Sequence, residues 1–134
     1  MDPDPDSREA ADELVRAARS ASDGSLRAEL ANAMVAMKKQ FYGRGPEAAK
    51  AWILDDYVFV AMEGGLTRNE ETLLADGKDD VVRRYRLEFQ ETVSESATGA
   101  VEELTGRKVV GYHSQIVFRP ARAFEIFVLG PEED

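Results

Sequence analysis

Phe41-Tyr42-Gly43-Arg44-Gly45-Pro46 is the stretch on which the architecture turns. Upstream of it, Leu26, Leu30, Met34, Met37 and Phe41 recur at three- and four-residue spacings, the single apolar stripe of an amphipathic helix over residues 26–41. Ser25 is placed to cap that helix, and Lys38 and Lys39 suit the negative end of its dipole. Gly43 supplies the backbone freedom that a helix end requires, and Pro46 forbids a return to helix. Downstream, residues 50–54 and 57–63 are rich in β-branched and aromatic side chains, with Asp55-Asp56 between them. Aspartates close tight turns through side-chain-to-backbone bonds, so a hairpin is expected there. The corner therefore converts a helix into a strand pair.

The same order recurs. After Gly64-Gly65, Thr67 and Glu70 form a Thr-x-x-Glu capping box over a short helical turn. A long helix is expected over residues 79–104, with Val82, Tyr85, Phe89, Val93, Ala97, Ala100, Val101 and Leu104 as its stripe. Asp79 and Asp80 favour its positive end and precede Arg83 and Arg84 by four residues. Gly106 ends it, and strands over 109–119 and 123–129 close the chain. In the first of these, alternation puts Val110, Tyr112, Ile116 and Phe118 on one face, with His113, Gln115 and Arg119 on the other. The order α-β-β-α-β-β predicts an α+β two-layer sandwich: a four-stranded, mainly antiparallel sheet with helices, one of them long and amphipathic, on one face.

At 134 residues the chain supports one core without staples. It has no cysteine, which removes disulfides and thiolate chemistry. The net charge of −9 is concentrated at the ends: residues 1–24 hold seven acids against three bases, and the tail over 131–134 adds three acids. Residues 25–130 are close to neutral, with 16 acids against 14 bases. Nucleic-acid binding requires a basic surface and is not expected. The organisation expected is an acidic, partly disordered segment over 1–24, one α+β domain over 25–130, and an acidic tail over 131–134. Within the first segment, residues 1–6 have no regular structure in this reading. A short helix follows over 7–20, capped by Asp6 and with a thin apolar face of Leu14, Val15 and Ala18, and residues 20–24 form a linker. The first twenty residues lack an apolar run, so no signal peptide and no membrane insertion are expected.

Both faces of the strands are apolar. Phe127 and Leu129 point opposite to Phe124, Ile126 and Val128, while Tyr57 and Phe59 alternate with Val58, Val60 and Met62. In a two-layer domain one of these surfaces is left uncovered, which predicts a homodimer.

The candidate ligand- or partner-binding residues are Gly43, Arg44, Gly45, Asp55, Asp56, Glu63 and His113. Two readings of the corner stand. Its arginine offers a planar fork of donors and its glycines allow close backbone approach, as an anion cradle needs. Alternatively, Gly43 caps the helix and Arg44 pairs with Asp55, Asp56 or Glu63. It is neither a P-loop nor a dinucleotide fingerprint, because the Gly-Lys-Ser/Thr ending is absent and the glycines follow a helix. Asp55 and Asp56 read as a turn, since adjacent strand residues point to opposite faces and cannot share a proton. His113, the sole histidine, is a surface or structural residue, or else a pH-sensitive or ligand contact. One histidine without cysteine makes no metal centre, and no cofactor is expected. Arg83, Arg84 and Arg86 lie among Asp79, Asp80 and Glu88 and read as a solvated helix face. Ser114 and His113 point to opposite strand faces, so no nucleophile–base pair forms and no catalytic set is expected.

Four blocks resemble a small cytosolic family, the C component of the Na+-translocating membrane potential-generating (Mps) system. They are Tyr42-Gly43-Arg44-Gly45-Pro46, Ile53-Leu54-Asp55-Asp56, Glu63-Gly64-Gly65-Leu66-Thr67, and Leu104-Thr105-Gly106 with His113-Ser114. The chain departs from the pattern at Gln115, where the family has an aspartate, and in its extra N-terminal segment. The resemblance implies a cytoplasmic protein, peripheral to the membrane through a partner and associated with ion or bicarbonate uptake. It implies no catalytic residues. The function expected on this basis is a non-enzymatic accessory or regulatory protein in contact with membrane transporter subunits. A small-anion or metabolite sensor centred on the Gly-Arg-Gly-Pro corner, with His113 at its rim, is the alternative.

Overall fold

The computed structural model describes residues 5–21 and 25–132. Eight elements follow one another: α1 (Pro5–Ala21), α2 (Leu26–Tyr42), β1 (Ala48–Leu54), β2 (Tyr57–Glu63), α3 (Arg68–Ala75), α4 (Asp79–Thr105), β3 (Val109–Val117) and β4 (Arg122–Leu129). The strands form one antiparallel sheet in the order β1-β2-β4-β3. Helix α2 lies on β1 and β2 and α4 on β3, both on the same side of the sheet, which makes the α+β sandwich.

The local signals act as the sequence implies. Ser25 Oγ accepts from the Ala28 amide, and Gly43 ends α2 in the left-handed region with its N–H donating to the Lys39 carbonyl. Pro46 then packs against the backbone of the β2–α3 connection. A Cβ on Gly65 would stand 3.1 Å from Pro46 Cα, and Gly65 has φ +84°, so glycine is required there twice over. The β1–β2 hairpin closes on Asp55-Asp56, with Leu54 opposite Tyr57 and Asp55 at φ 52°. Thr67 and Glu70 complete the reciprocal capping box of α3.

Helix α1 is part of the core, although residues 1–24 are expected from their charge to stand apart from the domain. Leu14, Val15 and Ala18 are buried in the same cluster as Leu30, Met34, Met37, Val93, Ala97 and Val101, because α1 packs against both α2 and α4. With Ala11, also buried, four inward residues suffice when two helices supply the rest of the contact. The helix also starts at Pro5, so Asp6 lies in its first turn instead of serving as the cap. Proline favours that position because its missing N–H would have no helical partner there. The expectations for residues 1–4 and for the linker over 22–24 lie outside the described residues.

Two further expectations are corrected. A β-bulge between Val109 and Gly111 shifts the β3 register, so Val109 packs on the core and Val110 points out, 67% exposed, instead of sharing a face with Tyr112 and Ile116. In α4 the inward stripe of the first turns is Val82, Arg86, Gln90 and Val93; Tyr85 is half exposed and Phe89 lies at the flank. Arg86 is thus buried and no part of a solvated face. The apolar stripe drawn through Tyr85 and Phe89 lies one position off the inward direction in this half of the helix.

Candidate functional site

The sheet has two unlike faces. Toward the helices, Val58, Val60, Met62, Ala123, Phe127 and Leu129 form the core, and Glu125 stands among them with 0% exposure. A lone carboxylate in that position would be costly, and it is matched by Lys38 from α2. Lys38 Nζ lies 3.1 Å from Glu125 Oε1 and donates to Gln90 Oε1 at 2.8 Å. The Gln90 amide donates to the Tyr112 hydroxyl, and that hydroxyl donates to Glu125 Oε2 at 2.8 Å. Four side chains from α2, α4, β3 and β4 therefore close a ring of polar contacts inside the core. Glu125 Oε1 has the ammonium beside it without a well-directed hydrogen bond. Burial pushes Lys38 below its ordinary pKa, and the Glu125 carboxylate only partly offsets this. Burial likewise raises the Tyr112 phenol, with the neighbouring Glu125 charge adding to it.

A second buried pair lies beside the first. Arg86 donates from Nε and Nη2 to the two oxygens of Glu70, both at 2.5 Å, and from Nη2 to the Gly65 carbonyl at 3.1 Å. Burial raises the Glu70 carboxyl, but the hydrogen bonds from Arg86 and Thr67 outweigh it and leave the pKa low. Tyr42 covers both cations: the Arg86 guanidinium lies 4.1 Å and the Lys38 ammonium 5.1 Å from its ring centroid. Burial raises this phenol too.

The other sheet face carries Trp52 and Leu54 from β1, Tyr57 and Phe59 from β2, and Phe124, Ile126 and Val128 from β4. Trp52, Phe59 and Phe124 touch in sequence, with ring centroids 5.5 and 5.9 Å apart. No described helix packs on this side, and Leu54 is 70% and Tyr57 51% exposed. Charged groups lie at one end of it, where Glu63 and Arg122 are paired at 2.5 Å.

The residues singled out from the sequence fall in separate places. Arg44 donates to the Leu66 carbonyl at 3.0 Å and lies 3.5 Å from Glu71, so it ties the corner to the start of α3. It does not pair with Asp55, Asp56 or Glu63. The two aspartates are at the far end of β1, about 20 Å along the strand, and Glu63 is engaged by Arg122. Asp56 instead accepts from Arg107 at 2.7 Å, joining the hairpin turn to the α4–β3 connection. His113 is exposed on the open face, opposite Ile126. Gly43 and Gly45 shape the corner around Arg44 but bring neither His113 nor the aspartates to it. Asp79, expected near Arg83, pairs with Arg119, whose hydrogen bond lowers the Asp79 pKa; Arg83 takes Asp80.

Gln90 and Glu125 are not reached by the sequence reasoning, and Lys38, Glu70 and Arg86 are read there only as a dipole partner, a helix cap and part of a solvated face. One signal is present: Glu125 has the inward parity of Ala123, Phe127 and Leu129. A carboxylate on the buried face of a strand demands a partner. Among the described residues no helix is long and apolar enough to cross a membrane.

The family model described as "Na+-translocating membrane potential-generating system (MpsC)" matches residues 22–130. "Uncharacterized protein YbcI" of Bacillus subtilis (strain 168) is 27% identical over 109 residues, which cover 81% of this chain and 88% of YbcI. The family match begins after α1, so a helix that completes the core is contributed from outside it.

Proposed function

As the chain belongs to the MpsC family, we propose that it is a non-enzymatic accessory protein of a membrane ion or bicarbonate transport system, acting by protein–protein contact. The observation that carries this reading is the uncovered sheet face. Seven large apolar side chains on three adjacent strands form a continuous surface, and surfaces of that kind are interaction sites. A second copy of the chain is the occupant proposed, and the resulting homodimer is the unit that meets the membrane subunits. The buried ion pairs fit the same role, because both are engaged inside the core, and Arg44 acts as a bracket between α2 and α3. An anion sensor at the corner would need that guanidinium to leave Leu66 and Glu71.

Sedimentation velocity of the full chain at micromolar concentration tests the first step, with a dimer expected and a clean monomer contrary to it. The second step is tested by tagging the chain in its native host and solubilising the membranes in mild detergent. Co-purification of the membrane subunits encoded beside it is expected. Repeated failure to retain them, with the tagged protein folded and dimeric, would overturn the transport assignment and leave the dimer standing.

A further inference from the structure

Helix α4 carries a second stripe at helical spacing. Leu87, Gln90, Glu91, Ser94 and Thr98 line one wall of an open groove of about 400 Å³, and Tyr112 and Ser114 of β3 line the other. The volume is within the range of sites for small organic molecules, roughly 300–1,000 Å³. The wall is polar where a helix seated on a sheet would ordinarily be apolar.

The floor of the groove is rigid for a reason already described. Gln90, buried, and Tyr112, half-buried, are the two members of the ring that line the floor of the groove, and the Lys38–Glu125 pair holds them from behind. The Gln90 amide nitrogen spends one of its two hydrogens on Tyr112 and has a second to offer. Ser94 donates to the Glu91 carbonyl at 2.8 Å, which keeps its oxygen lone pairs as acceptors. Ser114 and Thr98 add two further hydroxyls to the lining. Glu91 is the one charged residue among those lining the groove. The charges behind the floor belong to an ion pair and cancel. The groove therefore presents a negative charge at its rim, hydroxyls and an amide along its sides, and the apolar Leu87 beside them.

We propose that this groove binds a small hydroxylated amine, with its ammonium group at the Glu91 carboxylate and its hydroxyls on Gln90, Thr98 and Ser114. An anionic ligand is disfavoured by Glu91, and an apolar one would leave the hydroxyls and the amide unpaired. The preorganised floor gives the buried ion pair a purpose that an apolar core would not serve, since it holds the Gln90 amide and the Tyr112 oxygen in one geometry beneath the groove.

The test is a titration of the isotope-labelled full chain, followed by amide NMR, with glucosamine as the amine probe and glucose as its neutral counterpart. Saturable shifts of the Gln90 side-chain amide and of the Ser94, Thr98 and Ser114 backbone amides are expected with glucosamine. Glucose should bind at least about tenfold more weakly, and Glu91→Gln should reduce the glucosamine affinity by a similar factor while leaving the spectrum otherwise folded. Thr98→Val should weaken binding several-fold in both backgrounds. Equal shifts with both sugars, shifts confined to other acidic surfaces, unchanged affinity in Glu91→Gln, or no response to millimolar probe would each overturn the assignment.

Discussion

Each face of the sheet departs from the usual division of side chains in its own way. The face packed under the helices holds a carboxylate with no exposure, whereas the face turned away from them displays tryptophan, leucine, tyrosine and phenylalanine. What makes the first tolerable is local pairing, since Glu125 meets an ammonium and a phenol supplied by two other elements. The second has no such remedy within one chain, because an apolar surface is satisfied only by being covered. One face is satisfied within the chain; the other is the surface that the proposed homodimer would cover.

The sharpest way to break this contrast is to leave half of the buried pair. Glu125→Ala is expected to destabilise the chain by about 3–5 kcal/mol, because Lys38 is then buried without its partner. Urea unfolding reads this directly. The double replacement Lys38→Met with Glu125→Leu should recover most of the loss, and a double variant as unstable as the single one would show that the pair is stabilising in its own right. Lys38 also has a pH signature. Its folded pKa is lowered, so between that value and the ordinary 10.5 the unfolded chain binds more protons and stability rises with pH. Lys38→Met should remove that rise.

On the open face, Phe59→Asp places a charge in the centre of the aromatic row. The dimer dissociation constant should increase by at least about a hundredfold, with little change in the thermal stability of the monomer. Sedimentation equilibrium distinguishes the two effects, and an unchanged constant would remove this face from the interface.

A smaller effect belongs to the other buried pair. Glu70→Gln should cost about 1–3 kcal/mol at neutral pH through the weakened hydrogen bonds to Arg86. The folded pKa of Glu70 is low, so its contribution is present above the ordinary carboxylate range and is lost as pH falls through the folded value. The variant should accordingly show a shallower acid limb in the stability profile. The smallest change expected is that of Arg44→Ala, about 1 kcal/mol, because one carbonyl bond and one half-exposed ion pair are lost. A loss as large as that of Glu125→Ala would mean that the corner, and not the sheet interior, is where the fold is most sensitive.

The elements of the fold were legible because each rests on a local signal: the stripe of α2, the corner at Gly43, the turn at Asp55-Asp56 and the capping box at Thr67. The doubly apolar strands were legible for the same reason, since alternation is a property of consecutive residues. The strand order was not, because placing β4 between β2 and β3 depends on pairing between distant segments. The bulge at Val110 was hidden as well, since an inserted residue leaves the alternating pattern intact and alters only which side each residue takes. The buried ring was missed for a different reason. Lys38 lies near a helix end and Arg86 in an arginine-rich run, where a solvated reading is the ordinary one; only contact with Glu125 and Glu70 makes them interior groups.

Glu70 joins two scales of structure in one side chain. Its Oε1 accepts from the Thr67 amide, which sets where α3 begins, and both of its oxygens receive Arg86 from the middle of α4. The starting point of the short helix is thereby geared to the rotation of the long one about its axis. A turn of α4 by a single residue, about 100°, would carry Arg86 out of reach and leave the capping carboxylate of α3 buried without its cation.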